Sequence, residues 1–262
     1  MATIASQVVL HPTVSQGLKY GGTTLGRDKA YRAIQYFARF YAWFLLSRGE
    51  KESAARWNAL KTHLATARKL LRLGKPLEHL QAALKAALAS GPAGEQITTI
   101  GRQIGYFGYL SFDALVWVNA VKFYSFSPET SNKISKLANR FWLAGIVLSI
   151  LNGALKNVRL AKEERLLKRS MAIPEKAVGQ EAAEETRLST VLASRDATRQ
   201  QLVIDLLDLW IPATALGISS MNDGVLGIFG FVFLTLSCQP HSRSFSQCDH
   251  IGDCGSEAMA IC

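Results

Sequence analysis

Leucines recur at a helical period through the stretch Leu64–Leu88, and this repeat restricts the stretch to an α-helix. Six of them lie three or four residues apart: Leu70, Leu73, Leu77, Leu80, Leu84 and Leu88. Five basic residues lie nearly opposite on the same helix: Lys61, Arg68, Arg72, Lys75 and His79. Pro76 removes one backbone donor. Because the leucine stripe keeps its phase across this proline, we expect a kink there rather than a break.

Two interpretations of this amphipathic helix are open. The helix could pack through its leucines on its own domain and present its cations to solvent. Alternatively, a basic helix with a strong apolar stripe suits the plane of an anionic bilayer surface. The rest of the chain favours the bilayer.

The charge of the chain indicates an anionic partner. The 262 residues carry a net charge of +10, and the first 100 contain 14 Lys or Arg against 5 Asp or Glu. Such a balance suits nucleic acid or acidic lipid. No nucleic-acid-binding module is recognisable, and the cations alternate with long apolar runs. We therefore expect an acidic phospholipid membrane as partner and no nucleic acid.

An aromatic-rich helix is predicted from Arg27 to about Arg48. Thr23 and Thr24 precede it as candidate caps. Tyr36, Phe40 and Trp43 lie between an apolar side and an arginine-rich side. Aromatic side chains at such a boundary suit either a membrane interface or an aromatic helical core.

Two apolar segments follow and predict a membrane hairpin. Arg102–Phe126 reaches about 20 residues, the length of a bilayer span, but carries Asp113 near its middle. This carboxylate either faces a partner group inside a bundle or indicates partial burial. Phe141–Leu155 holds 15 uncharged residues, which is short for a full span. It could cross a thinned or tilted region or enter the bilayer re-entrantly.

The basic block Lys156–Arg169 indicates the cytoplasmic side. Residues 170–200 lack an apolar period and are predicted to form a mobile linker with some helix. Leu202–Met221 and Val225–Ser237 are a C-terminal apolar pair. Gly224, Gly227 and Gly230 lie on one strip that permits close helix packing in lipid.

Motifs for catalysis are absent from the sequence. It lacks the phosphate-binding loop, zinc-protease, serine-hydrolase and C-x-x-C patterns, so no enzyme activity and no cofactor are expected. All four cysteines lie in the last 25 residues. His241, Cys248, His250 and Cys254 match no standard zinc spacing, and no metal is expected.

These patterns predict an all-α membrane protein with N-terminal amphipathic helices, a membrane hairpin and a C-terminal apolar helix pair. Five regions are expected: a basic amphipathic region (1–100), the hairpin (101–156), a charged linker (157–200), the C-terminal apolar segment (201–238) and a polar, cysteine-containing tail (239–262).

One series of residues resembles a family signature. It comprises Arg27, Asp28, Lys29, Arg32, Gln35, Tyr36, Phe37, Arg39, Phe40 and Trp43. Their spacing closely resembles the opening signature of the peroxin-11 family, in its fungal form. Further matching stretches are His11–Thr13, Ala67–Lys75, Ile204–Pro212 and Asn222–Gly230. The resemblance covers about residues 8–230, and the sequence departs from the family after Gly230.

The resemblance implies a protein of the peroxisomal membrane that elongates and proliferates the organelle. The preferred mechanism is insertion of the basic amphipathic helix into the cytosolic leaflet, which starts tubulation before fission. The expected membrane-binding residues are Arg68, Leu70, Arg72, Leu73, Lys75, Leu77, Leu80, Leu84 and Leu88.

Two alternative functions stay open, and the first of them is also implied by the resemblance. In the first, the protein is a solute channel, and Asp113, Asp205 and Asp208 line the pore instead of pairing with Arg or Lys between helices. In the second, it is an adaptor that recruits the fission machinery, a dynamin-like GTPase and its adaptors. Self-association into a homo-oligomer is expected as well.

Overall fold

The computed structural model describes residues 11–172 and 180–237, and every regular element among them is helical. The helices are α1 (Pro12–Gly22), α2 (Thr24–Ser47), α3 (Lys51–Leu70), α4 (Lys75–Leu88), α5 (Ala93–Ala120), α6 (Pro128–Met171), α7 (Gln180–Asp208), α8 (Trp210–Ala215) and α9 (Asp223–Ser237). The all-α fold predicted from the sequence is confirmed. The predicted tail 239–262, with its cysteines and histidines, lies outside the described residues.

The chain divides into two compact units. The first contains the described parts of Met1–Leu71 and Met221–Cys262, and the second contains Arg72–Ser220. In the first unit α2 packs against α1, α3 and α9. In the second unit α5 packs between α4 and α6, and α6 also contacts α7 and α8.

The start of α2 follows from its cap. The Thr23 hydroxyl accepts a hydrogen bond from the Gly26 backbone N–H at 3.0 Å, which satisfies one of the unpaired donors of the first turn. The predicted cap is therefore confirmed. Ala38, Ala42 and Leu45 form the buried side of this helix, where small residues allow close approach of its neighbours.

Three glycines of α9 lie against three aromatic side chains of α2. Gly224 faces Trp43, Gly227 faces Phe40, and Gly230 faces Tyr36. A Cβ atom built on Gly230 would lie 2.1 Å from Cδ1 of Tyr36, so only glycine permits this contact. The close helix approach predicted for the glycine strip is confirmed, and its partner is α2.

An ion pair joins the start of α9 to the same unit. Asp223 Oδ1 accepts hydrogen bonds from Arg39 Nη2 at 2.6 Å and Arg39 Nε at 3.0 Å, and Lys61 Nζ lies 3.7 Å from its other oxygen. Burial alone would raise the pKa of Asp223. The hydrogen bond from Arg39 and the charges of Arg39 and Lys61 outweigh burial, so the pKa lies below its ordinary value.

Asp223→Asn should make the protein less sensitive to acid. Because the pKa of Asp223 is lower in the folded chain than in the unfolded chain, its stabilisation is present above the unfolded pKa and is lost as the pH falls through the folded pKa. For a half-exposed pair we expect about 0.2–1 kcal/mol near neutral pH. Thermal unfolding of the full chain in detergent should show this difference at pH 7 and none well below pH 3.

Asp196→Asn is the matched control, because this exposed carboxylate lies near only Arg199 in its own helix. It should leave the unfolding temperature almost unchanged at both pH values. An Asp223→Asn effect that persists at low pH would contradict the assignment of the effect to the ionised carboxylate.

The hairpin of α5 and α6 is packed through glycines. A Cβ atom on Gly105 would lie 2.7 Å from Cα of Gly145, and one on Gly108 would lie 2.5 Å from Cδ1 of Phe141. Gly101 similarly faces Leu148. The sequence interpretation gave Gly101, Gly105 and Gly108 no role, and the structure shows that they bring the two helices together.

Two predictions about helix boundaries are wrong. The kink expected at Pro76 is a break, since α3 ends at Leu70 and α4 begins at Lys75. Gly74 is the N-cap of α4 and Pro76 lies in its first turn, where the missing N–H of proline has no helical partner to lose. Leu70 and the later leucines therefore do not share one continuous helix, and they belong to different units.

The predicted linker is largely helical in its described part, and residues 173–179 lie outside the described residues. α6 continues to Met171, and α7 occupies Gln180–Asp208. Within the predicted linker, the buried residues of α7 are Val191 and Thr198, which lie seven residues apart. One buried apolar and one buried polar residue in this part of α7 are too few to give the apolar repeat that identifies a helix in a sequence.

Candidate membrane-binding site

Helix α4 packs with its polar and small side chains and leaves its leucines exposed. Leu77, Leu80, Leu84 and Leu88 are exposed by 67%, 39%, 60% and 88%. At 100° per residue these four share one side of the helix, and the packed residues His79 and Ala83 share the other. The interpretation in which the leucines pack on their own domain is therefore wrong for α4.

The packed side of α4 is fastened to α5 at several points. His79 Nδ1 lies 2.7 Å from Gln103 Oε1, and the imidazole stacks on Tyr106 with a centroid distance of 5.4 Å. Burial lowers the pKa of His79, so the imidazole is neutral at pH 7 and does not place a charge in this contact. Gln96 Nε2 donates to the carbonyls of Ala86, Ala87 and Ala89. These hydrogen bonds satisfy backbone carbonyls that have no partner within the helix at its C-terminal end.

Both predicted membrane-binding arginines have internal partners. Arg68 is buried in the first unit, where its Nε donates to Asp28 Oδ1 at 2.9 Å and its Nη1 donates to Gln35. In the second unit Arg72 Nη2 lies 3.2 Å from Asp113 Oδ2, and Nη1 donates to the Tyr109 hydroxyl. Asp113 therefore faces a partner group inside a bundle, which was one of the two alternatives for it.

The other predicted cation, Lys75, lies at the start of α4 without a carboxylate of the described residues in salt-bridge range. Lys85 is exposed on α4 and likewise has no carboxylate of the described residues within salt-bridge range. Leu73 is exposed in the turn before the helix. The structure thus brings Leu73 and the four α4 leucines together with two cations, and places Arg68 and Arg72 elsewhere.

Helix α6 has a second exposed apolar stripe, which the sequence interpretation did not recognise. Among the described residues α6 alone is long and apolar enough, by length and composition, to cross a membrane. α5, expected to be the first membrane segment, does not meet this criterion, since Gln103, Asp113 and Asn119, with several glycines and tyrosines, lower the mean hydropathy of its most apolar part. The stripe of α6 contains Val147, Leu151, Leu155 and Val158.

The exposed apolar side of α6 is longer than the 15 uncharged residues of Phe141–Leu155. Along the exposed side of α6, apolar positions continue from Arg140 to Arg159, 19 residues later. At 1.5 Å per residue this distance is about 28 Å, close to the roughly 30 Å of a hydrocarbon core. Lys156 falls within this range but lies on the opposite, more enclosed side of the helix, and Arg159 is paired with Glu95 at 2.7 Å.

Both apolar faces lie at the same level of the second unit. In α5, Gly94 and Gly105 lie beside Leu155 and Gly145 of α6. The same part of α5 holds α4 through Gln96 and Gln103. α4 therefore runs alongside the hairpin, next to the apolar part of α6.

The residues of the predicted signature are mainly packing and pairing residues of the first unit. Asp28 and Gln35 hold Arg68, and Arg39 holds Asp223. The aromatic residues Tyr36, Phe40 and Trp43 receive the glycines of α9. Of the remaining signature residues, Arg27 donates to the Gly21 carbonyl, Phe37 stacks on Tyr41, and Arg32 lies over the Tyr36 ring. Lys29 lies near the start of α2.

The carboxylates considered for a pore lie between helices. Asp113 pairs with Arg72, and Asp205 accepts hydrogen bonds from the Ser149 hydroxyl at 2.5 Å and from Gln201 at 2.8 Å. Asp208 is also buried. Groups of three or more side chains suited to a metal ion are absent from residues 11–172 and 180–237.

The chain matches the model of one protein family over most of its length. The family is described as Peroxisomal biogenesis factor 11, and the match covers residues 14–240. It extends ten residues beyond Gly230, so the departure from the family begins later than the sequence interpretation placed it. No solved structure is significantly similar to the chain.

Individual relatives span nearly the whole chain. Peroxisomal membrane protein PMP27 of Saccharomyces cerevisiae is 29% identical over 90% of this chain and 97% of its own length. Peroxisomal biogenesis factor 11 of Schizosaccharomyces pombe is 25% identical over 80% of this chain and 87% of its own length. Peroxisomal membrane protein 11A of Homo sapiens is 24% identical over 82% of this chain and 90% of its own length. The predicted location at the peroxisomal membrane and the predicted family are thus confirmed, and the chain belongs to the Peroxisomal biogenesis factor 11 (PEX11) family.

Proposed function

We propose that this protein elongates the peroxisomal membrane by burying the leucine face of α4 in the cytosolic leaflet of an acidic bilayer. The leucine face comprises Leu77, Leu80, Leu84 and Leu88. The observation that carries the proposal is their exposure on the side of α4 that points away from α5. Self-association and recruitment of a fission GTPase stay predictions from the family resemblance.

The energetics favour insertion. Transfer of a leucine side chain out of water contributes about 1.5–3 kcal/mol when burial is complete, so four leucines supply a large gross driving force. Lys75 and Lys85 can pair with acidic head groups beside them. Material inserted into one leaflet expands that leaflet relative to the other, and the imbalance favours curvature.

The contacts of α4 determine how the leucines reach the lipid. Because α4 is bound along its length to α5, it moves together with the hairpin rather than as an isolated surface helix. The basic residues Arg68 and Arg72 are occupied internally. The proposal therefore assigns the attraction to the bilayer mainly to the leucines and only secondarily to cations.

Leu80→Glu combined with Leu84→Glu should abolish tubulation by the full chain reconstituted into liposomes that contain acidic phospholipid. A carboxylate is costly in the hydrocarbon region, by about 2.5–3.5 kcal/mol at its centre, so the substituted face cannot insert. We expect the number of tubules in electron micrographs to fall at least about tenfold, which corresponds to a loss of roughly 1.4 kcal/mol in insertion.

The matched control is Lys162→Glu, at an exposed position of α6 in the same unit. It changes the charge of the unit by the same amount and leaves the four leucines, Lys75 and Lys85 in place. The control should keep most of the tubulation. Tubulation by the leucine variant at the native level, with native helical content by circular dichroism, would refute the proposal.

A further inference from the structure

A groove on the second unit lies between α6 and the turn that follows α8. Its volume is about 560 Å³, within the range of small-molecule sites in proteins. Lys136 and Arg140 line one end, Ala144 and Val147 continue along α6, and Leu216 and Ile218 form the opposite wall. One end of the groove is therefore cationic and the remainder is apolar.

The wall opposite α6 is fixed by backbone geometry. Gly217 has φ +77°, a conformation that residues with a Cβ atom rarely adopt. The N–H groups of Gly217 and Ile218 donate to the carbonyls of Thr214 and Ala213 at 3.0 and 2.9 Å. Leu216 and Ile218 are thus held on either side of a closed turn, and the apolar part of the groove is preformed.

The cations of the groove lie apart from the carboxylates of the described residues. Within the described ranges 11–172 and 180–237, no carboxylate lies within salt-bridge distance of Lys136 or Arg140. The two side chains are exposed and lie one helical turn apart on the same side of α6, where residues four apart are about 5–6 Å from each other. This spacing suits two contacts to one phosphate group.

The groove lies at one end of the apolar stripe of α6. Arg140 marks one end of the apolar stripe of α6, and Val147 belongs to both the stripe and the groove. If the apolar stripe of α6 enters the same leaflet as the leucine face of α4, Lys136 and Arg140 at its end lie at the head-group level and the apolar walls lie among acyl chains. A ligand of this groove then has a negative head and a hydrocarbon tail.

We propose that the groove is a binding site for one acidic phospholipid molecule of the surrounding membrane. Lys136 and Arg140 hold the phosphate, and one acyl chain follows α6 past Ala144 and Val147 against Leu216 and Ile218. The inference rests on the proposed function and adds to it that the apolar stripe of α6 lies in the same leaflet. It adds a site that is separate from the leucine face of α4.

The test uses the full chain in nanodiscs of phosphatidylcholine with added phosphatidylserine. After exchange into detergent, mass spectrometry measures how much phosphatidylserine each variant retains. Lys136→Gln combined with Arg140→Gln should reduce retention at least about tenfold, because both charged contacts to the head group are lost. Ala144→Trp should reduce retention similarly while it keeps both cations, because it fills the apolar part.

Lys162→Gln combined with Arg165→Gln is the matched control, since it removes two exposed cations of the same helix outside the groove. It should retain native amounts of phosphatidylserine. Equal loss in this control would overturn the proposal, because it would show a general attraction of basic residues for acidic lipid. Unchanged retention in the Lys136/Arg140 variant would also overturn it.

Two further experiments identify the molecule that binds in the groove. A photoreactive benzoylphenylalanine at position 218, where it replaces the large side chain of Ile218 in the groove wall, should form an adduct with lipid, and an adduct with a second copy of the chain instead would refute a lipid site. Glycerol phosphate should not displace the bound lipid, and displacement would indicate a site for free phosphate. The tubulation of the leucine variants is measured separately, so failure of the groove and failure of the proposed function are distinguishable.

Discussion

Asp28→Ala should destabilise the first unit by about 3–5 kcal/mol, because it leaves the buried Arg68 guanidinium without its carboxylate. The Arg68 Nε to Asp28 Oδ1 distance is 2.9 Å, and both residues are buried. Gln35 accepts one further hydrogen bond from Arg68 but cannot neutralise its charge. Hydrogen exchange of peptides from α2 and α3 in the full chain should accelerate by roughly two to four orders of magnitude.

Glu52→Ala is the matched control for this prediction. Glu52 pairs with Arg56 at 2.7 Å in the same unit, but the two side chains are 85% and 77% exposed. An exposed pair of this kind contributes about 0.3–0.5 kcal/mol, so exchange should change by less than about threefold. A similar effect of the two substitutions would show that burial of the Asp28 pair does not determine its contribution.

Gly105→Ala should separate α5 from α6, with a loss of at least about 2 kcal/mol in the stability of the second unit. The new Cβ would lie 2.7 Å from Cα and 2.9 Å from N of Gly145. These are backbone atoms, so no rotamer change can relieve the contact and a helix must move. Thermal unfolding of the full chain in detergent and hydrogen exchange in α5 and α6 measure the effect.

The other side of the same contact supplies the control. A Cβ on Gly145 would have its nearest neighbour, the Tyr106 backbone N, at 3.5 Å, which is ordinary van der Waals contact. Because alanine favours a helix over glycine by about 1 kcal/mol, Gly145→Ala should be neutral or stabilising. Equal destabilisation by both substitutions would contradict the packing described for the hairpin.

Local features of this fold could be predicted from the sequence because their causes lie within a few residues. The Thr23 cap depends on a donor three residues away, and the leucine face of α4 depends only on a period of 3.6 residues. The glycine strip of α9 was also recognisable as a packing surface. Its partners on α2 were not, because they lie far away in the sequence and depend on the tertiary fold.

The arginine partners show why the membrane-binding residues were only partly predicted. On a helical wheel Arg68 and Arg72 belong to one basic face. Their carboxylates, Asp28 and Asp113, lie 40 and 41 residues away in opposite directions along the chain. A helical wheel of this stretch shows neither carboxylate. It therefore predicts that the guanidinium groups of Arg68 and Arg72 bind lipid head groups. Lys136 and Arg140 were missed for the related reason that the opposite wall of their groove comes from beyond α7.

The attachment of α4 to α5 has a mechanical consequence for the bilayer. Since α4 and α6 both pack on α5, the proposed mechanism gives them one inclination relative to the membrane normal. A thinner or more strongly curved bilayer that changes the inclination of α6 would rotate the leucines of α4 by the same angle. The second unit would then respond to membrane shape as well as alter it, and elongation at one place would favour further elongation beside it.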